Sequence, residues 1–112
     1  MSSSRRPKPT PPAPELHLAT VMRTLGDPVR LEIVRLLADG KLRSTGQVAE
    51  HVGLPPSTCS YHLKQLLGAG VNECRAEGTS RYPVLRREAL DQRFPGLIDA
   101  ILADGPAQAS EV

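Results

Sequence analysis

Up to residue 70 the apolar positions recur at helical spacing; after Val71 they alternate in short runs, and near the end the helical spacing returns. Leu16, Val21, Met22 and Leu25 form a first helical stripe, and Gly26 offers its stop. Asp27 then stands as an N-cap with Pro28 at the first helical position, followed by Val29, Leu31, Ile33, Val34, Leu36 and Leu37, apolar around most of the circumference. Such a helix is predicted to be central and buried, ending at Gly40. Ser44 or Thr45 can cap a third helix, GQVAEHV, whose Val48, Ala49 and Val52 share a face before Gly53 ends it. In the fourth helix Pro56 lies near the first turn, and Ser57 or Thr58 is placed to serve the free amides. Its Cys59, Leu63 and Leu66 repeat at i, i+4, i+7, and Gly68 and Gly70 terminate it.

The stretches VNECRAE and SRYPVLR, joined by Gly78 and Thr79, read as a β-hairpin, with Pro83 placing the returning strand on an edge. Leu90, Phe94, Leu97, Ile98, Ile101 and Leu102 make a last helical stripe with a break expected near Pro95, too apolar to stand without a packing partner. The expected fold class is mainly α with a small hairpin, in the order α-α-α-α-β-β-α, over one domain at residues 15–104. The opening MSSSRRPKPTPPAP holds five of the eleven prolines and no large apolar residue except Met1, so residues 1–14 are expected to be a disordered basic tail. Its Arg5, Arg6 and Lys8 are free to brush a phosphate backbone. Residues 105–112 are expected to be a flexible C-terminal tail.

The fourth helix raises the functional question. A surface helix usually carries Glu and Lys, whereas this one shows Ser57, Thr58, Ser60, Tyr61, His62, Lys64 and Gln65, a set of donors and acceptors suited to a polar partner. Helix three, the turn Gly53, Leu54 and Pro55, and helix four together form a helix-turn-helix: small Ala49 permits close crossing, Gly53 permits the reversal, and the second helix projects outward. The hairpin behind it is a wing. A helix lying in the major groove needs short hydroxyl and amide side chains at the base edges, so Gln65, Tyr61, Ser57 and Ser60 are the better candidates for base contact, with Thr58 and His62 also on the DNA-binding helix. Lys64 and the wing's Arg75 and Arg81 would supply the sequence-independent phosphate term.

Charge refines this picture. The net charge is only +2, but residues 41–87 hold seven Lys or Arg against three acids, and residues 88–112 hold one Arg against five acids. A basic middle is compatible with a polyanionic partner and also with a solvated surface. With aromatics at 3%, Leu, Val and Ala must do the packing. The two cysteines form no CxxC pattern, and no apolar signal segment or membrane span is evident, so a cytoplasmic chain with reduced thiols and no membrane partner is expected. No nucleophile and base with a supporting carboxylate, and no phosphate-cradling glycine loop, can be assembled, which argues against an enzyme.

The runs LGDPVRLEIVRLL, GQVAEHVGLPPSTCSYHLKQLLGAGV and RAEGTSRY resemble the ArsR/SmtB winged helix-turn-helix repressors, over about residues 16 to 103. The resemblance implies a homodimer formed by the first and last helices, recognition of a palindromic double-stranded operator, and derepression by an effector. It also implies that His62 matches the family's recognition-helix histidine. Metal-sensing members often carry a Cys-x-Cys pair at the start of the third helix, where this sequence has Ser44 and Gly46. A second sensor site uses Asp and His on the last helix, whereas residues 88–104 hold Asp91, Asp99 and Asp104 but no His.

Among the remaining ligand-type residues, Cys59 lies on the inward seam as a small hydrophobe, Cys74 sits on the first hairpin strand, and His51 faces solvent. His17 on the first helix is different, because it lies where the partner's last helix should pack. With Glu15 and Asp99 or Asp104 across a dimer interface it would make a nitrogen and oxygen set suited to Ni²⁺ or Zn²⁺, without the thiolates that softer metals need. The leading expectation is therefore a dimeric, effector-responsive DNA-binding repressor. The alternatives are a winged-helix protein–protein interaction module and an effector-independent regulator.

One outcome follows from the composition of the first segment. Deleting residues 1–14 is expected to leave the thermal unfolding midpoint nearly unchanged, within about 0.5 kcal/mol of stability as for surface changes elsewhere; a loss of many degrees in a circular-dichroism melt would show that this segment docks.

Overall fold

A computed structural model describes residues 14–105; apart from Pro14 and Gly105, the segments expected to be tails lie outside the described residues. Six helices and one hairpin follow in the order α1 (Leu18–Leu25), α2 (Pro28–Leu37), α3 (Thr45–Val52), α4 (Pro56–Gly68), β1 (Asn72–Glu77), β2 (Ser80–Leu85), α5 (Arg87–Arg93) and α6 (Leu97–Asp104). The winged helix-turn-helix order is the expected one, with one addition. The last apolar stripe is two helices, because α5 stops at Phe94 and Gly96, at φ 89°, sits at the start of α6 in a conformation that no continuing helix uses.

The centre of the fold is α2. Asp27 begins it as expected, its carboxylate accepting from the backbone N–H groups of Val29 at 2.8 Å and Arg30 at 3.4 Å. Ile33, Val34 and Leu37 are buried among residues of every other helix and of the hairpin base, each such burial stabilising by about 1.5–3 kcal/mol. α1, α3, α4, α6 and β2 all pack on α2. In α1, Val21 and Leu25 point inward, but Met22 does not join them: it is 57% exposed, as Leu18 beside it is at 48%. Leu16 precedes the helix and is still buried.

Between α2 and α3 the chain is pinned by Arg43, which donates to both carboxylate oxygens of Asp39 at 3.0 and 2.7 Å. That hydrogen bond, with the Lys41 N–H, holds the Asp39 carboxyl at about 2. α3 opens on a capping box in which Ser44 Oγ accepts from the Gln47 N–H and Gln47 Oε1 accepts from the Ser44 N–H, so Ser44 and not Thr45 is the cap.

α3 and α4 end in the same way. Gly53, at φ 71°, donates to the Glu50 carbonyl while Leu54 donates to Ala49; Gly70, at φ 83°, donates to Leu67 while Val71 donates to Leu66. Each is a Schellman motif, which needs a left-handed residue at the glycine position. Gly70 has a second constraint, since a Cβ there would stand 2.9 Å from Leu16 Cδ2 and 3.1 Å from an Arg86 guanidinium nitrogen. Arg86 in turn donates to the Gly70 carbonyl at 2.8 Å, tying the end of α4 to the end of β2.

β1 and β2 pair antiparallel with Glu77 opposite Ser80, so Gly78 and Thr79 form a two-residue turn, and Gly78 alone has positive φ, the pattern of a type II′ turn. Pro83 lies opposite Cys74 in a ladder that has only two strands and hence a free edge on each. At the hairpin base Asn72 is buried with neither side-chain amide atom bonded among the described residues, a burial for which the structure shows no compensating contact.

Gly70→Ala is expected to destabilise the fold by more than about 1 kcal/mol, because both the backbone angle and the space forbid a methyl group. Asp27→Ala is expected to cost about 1 kcal/mol through the lost cap. Urea unfolding of the two variants checks both, and a Gly70→Ala protein as stable as the parent would contradict the packing of Leu16 on this turn.

Candidate nucleic-acid interface

α4 is divided lengthwise. Cys59, Leu63 and Leu66 are buried against the core, while Ser57, Thr58, Tyr61, Lys64 and Gln65 are exposed, Tyr61 at 53%. Ser60 and His62 are half-buried at the margins. The α4 residues predicted to touch DNA thus occupy the outer side and margins of one helix. Burial pushes the Cys59 thiol up, which keeps it protonated and unreactive in the seam. Neither Ser57 nor Thr58 caps the helix, contrary to the alternative role read for them. Pro55 occupies the cap position and Pro56 the first turn, where a proline has no N–H to satisfy, and both side chains remain available to a partner.

His62 has a partner that sequence reasoning missed. Arg30, in the first turn of α2, donates from Nε to His62 Nδ1 at 3.1 Å and from a terminal nitrogen to the Thr24 carbonyl at 3.2 Å. Its guanidinium also stands 5.9 Å from the centre of the Tyr61 ring, and the Tyr61 and His62 rings meet edge to face at 5.4 Å. Arg30 therefore fastens α1, α2 and α4 together and orients two side chains of the outer face. The only sequence signal was its place in the GDP-R run; nothing local links positions 30 and 62.

The hairpin carries Arg75 and Arg81, both exposed. Register separates them: Arg75 lies opposite Tyr82 and Arg81 opposite Ala76, so the two arginines stand on opposite faces of the ribbon. Arg75 lines a small hollow of about 100 Å³ with the end of α2, while Arg81 is one residue from the turn on the other face. That parity follows from a two-residue turn at Gly78 and Thr79, and could have been read once the turn length was assumed.

The four residues read as metal donors are not brought together within one protomer. His17 Nε2 is 3.5 Å from Glu15 Oε1, both largely exposed. Asp99 accepts from Arg87 at 2.8 Å and Asp104 from Arg35 at 3.0 Å. Among the described residues no three His, Cys, Asp or Glu side chains gather as a cation site. No described helix is long and apolar enough to cross a membrane.

Known proteins agree with this geometry. Residues 25–75 match a family model described as a helix-turn-helix domain. The uncharacterized HTH-type transcriptional regulator YceK of Bacillus subtilis is 33% identical over 84 residues, 74% of this chain and 84% of that protein. Among solved structures, the homodimeric winged helix-turn-helix DNA-binding domain Mb0332 of Mycobacterium bovis, a possible ArsR-family transcriptional regulator, superposes with a TM-score of 0.64 at 28% identity, covering 81% of this chain and 82% of that one. The cadmium metal-sensor CmtR of Mycobacterium tuberculosis superposes with a TM-score of 0.59 at 34% identity, covering 80% and 95%. Sequence, element order and the outward polar face of α4 converge on one assignment: the chain belongs to the ArsR family of winged helix-turn-helix, DNA-binding transcriptional regulators.

Proposed function

We propose that the chain acts as a homodimeric repressor whose two α4 helices enter successive major grooves of a palindromic operator. The observation that carries this reading is the lengthwise division of α4, with its apolar seam buried and Ser57, Thr58, Tyr61, Lys64 and Gln65 facing outward. Gln65 and Tyr61 are placed for base edges, Lys64 and Arg81 for phosphates. Arg75, on the other face of the ribbon, reaches DNA only if the wing lies edge-on. The dimer contact falls to α1 and α6, where Leu18, Met22 and Leu102 are large apolar side chains exposed at 48%, 57% and 37% in the single chain. The homodimeric state of the similar Mb0332 domain supports this arrangement.

The similar cadmium sensor CmtR supports a metal-responsive regulator. In this chain Ser44 and Gly46 stand at the start of α3 in place of thiolates, so the remaining donor set is nitrogen and oxygen, suited to Ni²⁺ or Zn²⁺. His17 and Glu15 would form half of such a site, closed by Asp99 or Asp104 of the partner subunit. That closure requires the carboxylate to leave Arg87 or Arg35, an exchange that also favours a second reading, a regulator that needs no effector.

For an operator selected from random-sequence duplexes, Gln65→Ala and Tyr61→Ala are each expected to remove about 1 to 3 kcal/mol of discrimination against random DNA. Arg81→Ala is expected to weaken both equally and to lower the salt slope of binding by roughly one. Unchanged affinity in all three, with the dimer intact, would refute the docking, and binding indifferent to salt would favour a protein partner over DNA.

If the metal reading holds, calorimetry should show Ni²⁺ or Zn²⁺ binding that shifts operator affinity about 5- to 150-fold, and His17→Ala should abolish the shift while metal-free DNA binding persists. No binding at micromolar metal would leave the effector-independent regulator standing.

A further inference from the structure

A cleft of about 300 Å³ opens between α1, α2 and α4, and its walls carry Thr20, Arg23, Thr24, Arg30, Lys64 and Gln65. Three cations converge on it and no carboxylate lines it. Gly68 and Ala69 of the α4 end complete the lining. We propose that this cleft receives a backbone phosphate of the bound DNA, held by Arg23 of α1, Arg30 of α2 and Lys64 of α4. The inference rests on the docking of α4 proposed above.

Three of the other arginines are paired with acids, while Lys41, Arg75, Arg81 and Arg93 are scattered singly and form no salt bridge to a carboxylate among the described residues. Arg35, Arg43 and Arg87 each sit on a carboxylate, at 3.0, 2.7 and 2.9 Å. Around the cleft that pairing is missing. The side chains of Arg23 and Lys64 have no hydrogen-bond or ion-pair partner among the described residues, and Arg30 donates only to uncharged acceptors, the Thr24 carbonyl and His62 Nδ1. Like charges gathered without a counter-charge repel, and the arrangement becomes favourable when an anion enters. The hydroxyls of Thr20 and Thr24 and the Gln65 amide add neutral donors, and a guanidinium fork fits the tetrahedral oxygens of a phosphate.

The cleft also lies beside the outer face of α4. Arg30 belongs to both the cleft and the outer face of α4, since the same guanidinium that lines the cleft stands against Tyr61 and His62. Lys64 and Gln65 are shared in the same way. An anion seated here is therefore beside the side chains proposed to read bases, where the phosphate strand bordering the major groove runs. Helical spacing also keeps the cleft clear of the proposed dimer contact: Thr20, Arg23 and Thr24 lie on a different flank of α1 from Leu18 and Met22. An oxyanion in solution offers the same chemistry, and the test separates the two sources.

The full chain and a random-sequence duplex suffice, because a phosphate contact is blind to sequence. Arg23→Gln is expected to lower affinity on the order of tenfold, as for one lost charge-assisted hydrogen bond, and to reduce the slope of log affinity against log salt by about 0.9. Arg23→Lys should retain most of the slope, and Arg93→Gln, an exposed charge on α5, should change neither quantity. Arg23 is exposed, and equal thermal midpoints establish that the variants fold. If Arg23→Gln behaves like Arg93→Gln while Arg81→Ala still weakens DNA binding, the cleft assignment is overturned and the docking survives. If the parent chain binds no duplex at all, both fall. Inorganic phosphate titrated into the DNA-free chain, read by amide shifts at Gln65 and Gly68, completes the test. Saturation that Arg23→Gln abolishes, with DNA affinity unchanged, would assign the cleft to a free oxyanion and overturn the DNA assignment.

Discussion

Burial of one face of α2 is the constraint on which the other elements depend. Ile33, Val34 and Leu37 can be withdrawn from water only if helices close over them from several sides, and α1, α3, α4, α6 and β2 do so. The flanks of the same helix carry the polar ties. Arg30 reaches α1 and α4, and Arg35 donates to the Ile101 carbonyl and Asp104 of α6. The helix that organises the core thereby also sets where α4 and the last helix stand.

The outward presentation of α4 depends on how its neighbours stop. At Gly53 and again at Gly70 a left-handed residue lets the terminal carbonyls be satisfied while the chain turns sharply. The first reversal sets α4 across α3, and the second launches the wing. Leu16 and Arg86 close on Gly70 from opposite ends of the chain, which makes that turn a junction of α1's approach, α4 and β2. The relative angle of α4 and the hairpin is held by the backbone geometry at Gly70 together with Leu16 and Arg86, which close on it.

Charge is divided between structure and function. Arg35, Arg43, Arg86 and Arg87 are spent on carboxylates or carbonyls within the fold. Arg23, Lys64, Arg75 and Arg81, on or beside α4 and the wing, hold no such partner among the described residues, and neither do the side chains of Lys41 and Arg93 elsewhere. A net charge of +2 hides this partition: of the twelve acids, Asp39, Asp91, Asp99 and Asp104 are matched to arginines within the fold.

Much of the architecture was legible in local signals. Asp27 with Pro28, Ser44 with Gln47, and the glycines at 53 and 70 mark helix ends through interactions within a few residues, so their geometry is written in neighbouring letters. The seam of Cys59, Leu63 and Leu66 follows from the helical period, and with it the polar outer face. Local signals misled where solvent or a partner decides. Met22 matches the period of a buried stripe but faces outward, since a helix lying on the surface of α2 buries only part of its apolar face. Tertiary structure alone decided which cations converge. Arg23, Arg30 and Lys64 come from three helices, and no spacing in a sequence shows that their side chains share a cleft or that Arg30 holds His62. Caps and periods are short-range properties of the backbone, whereas the convergence of charges is a property of helix packing, which exists only once the core has closed.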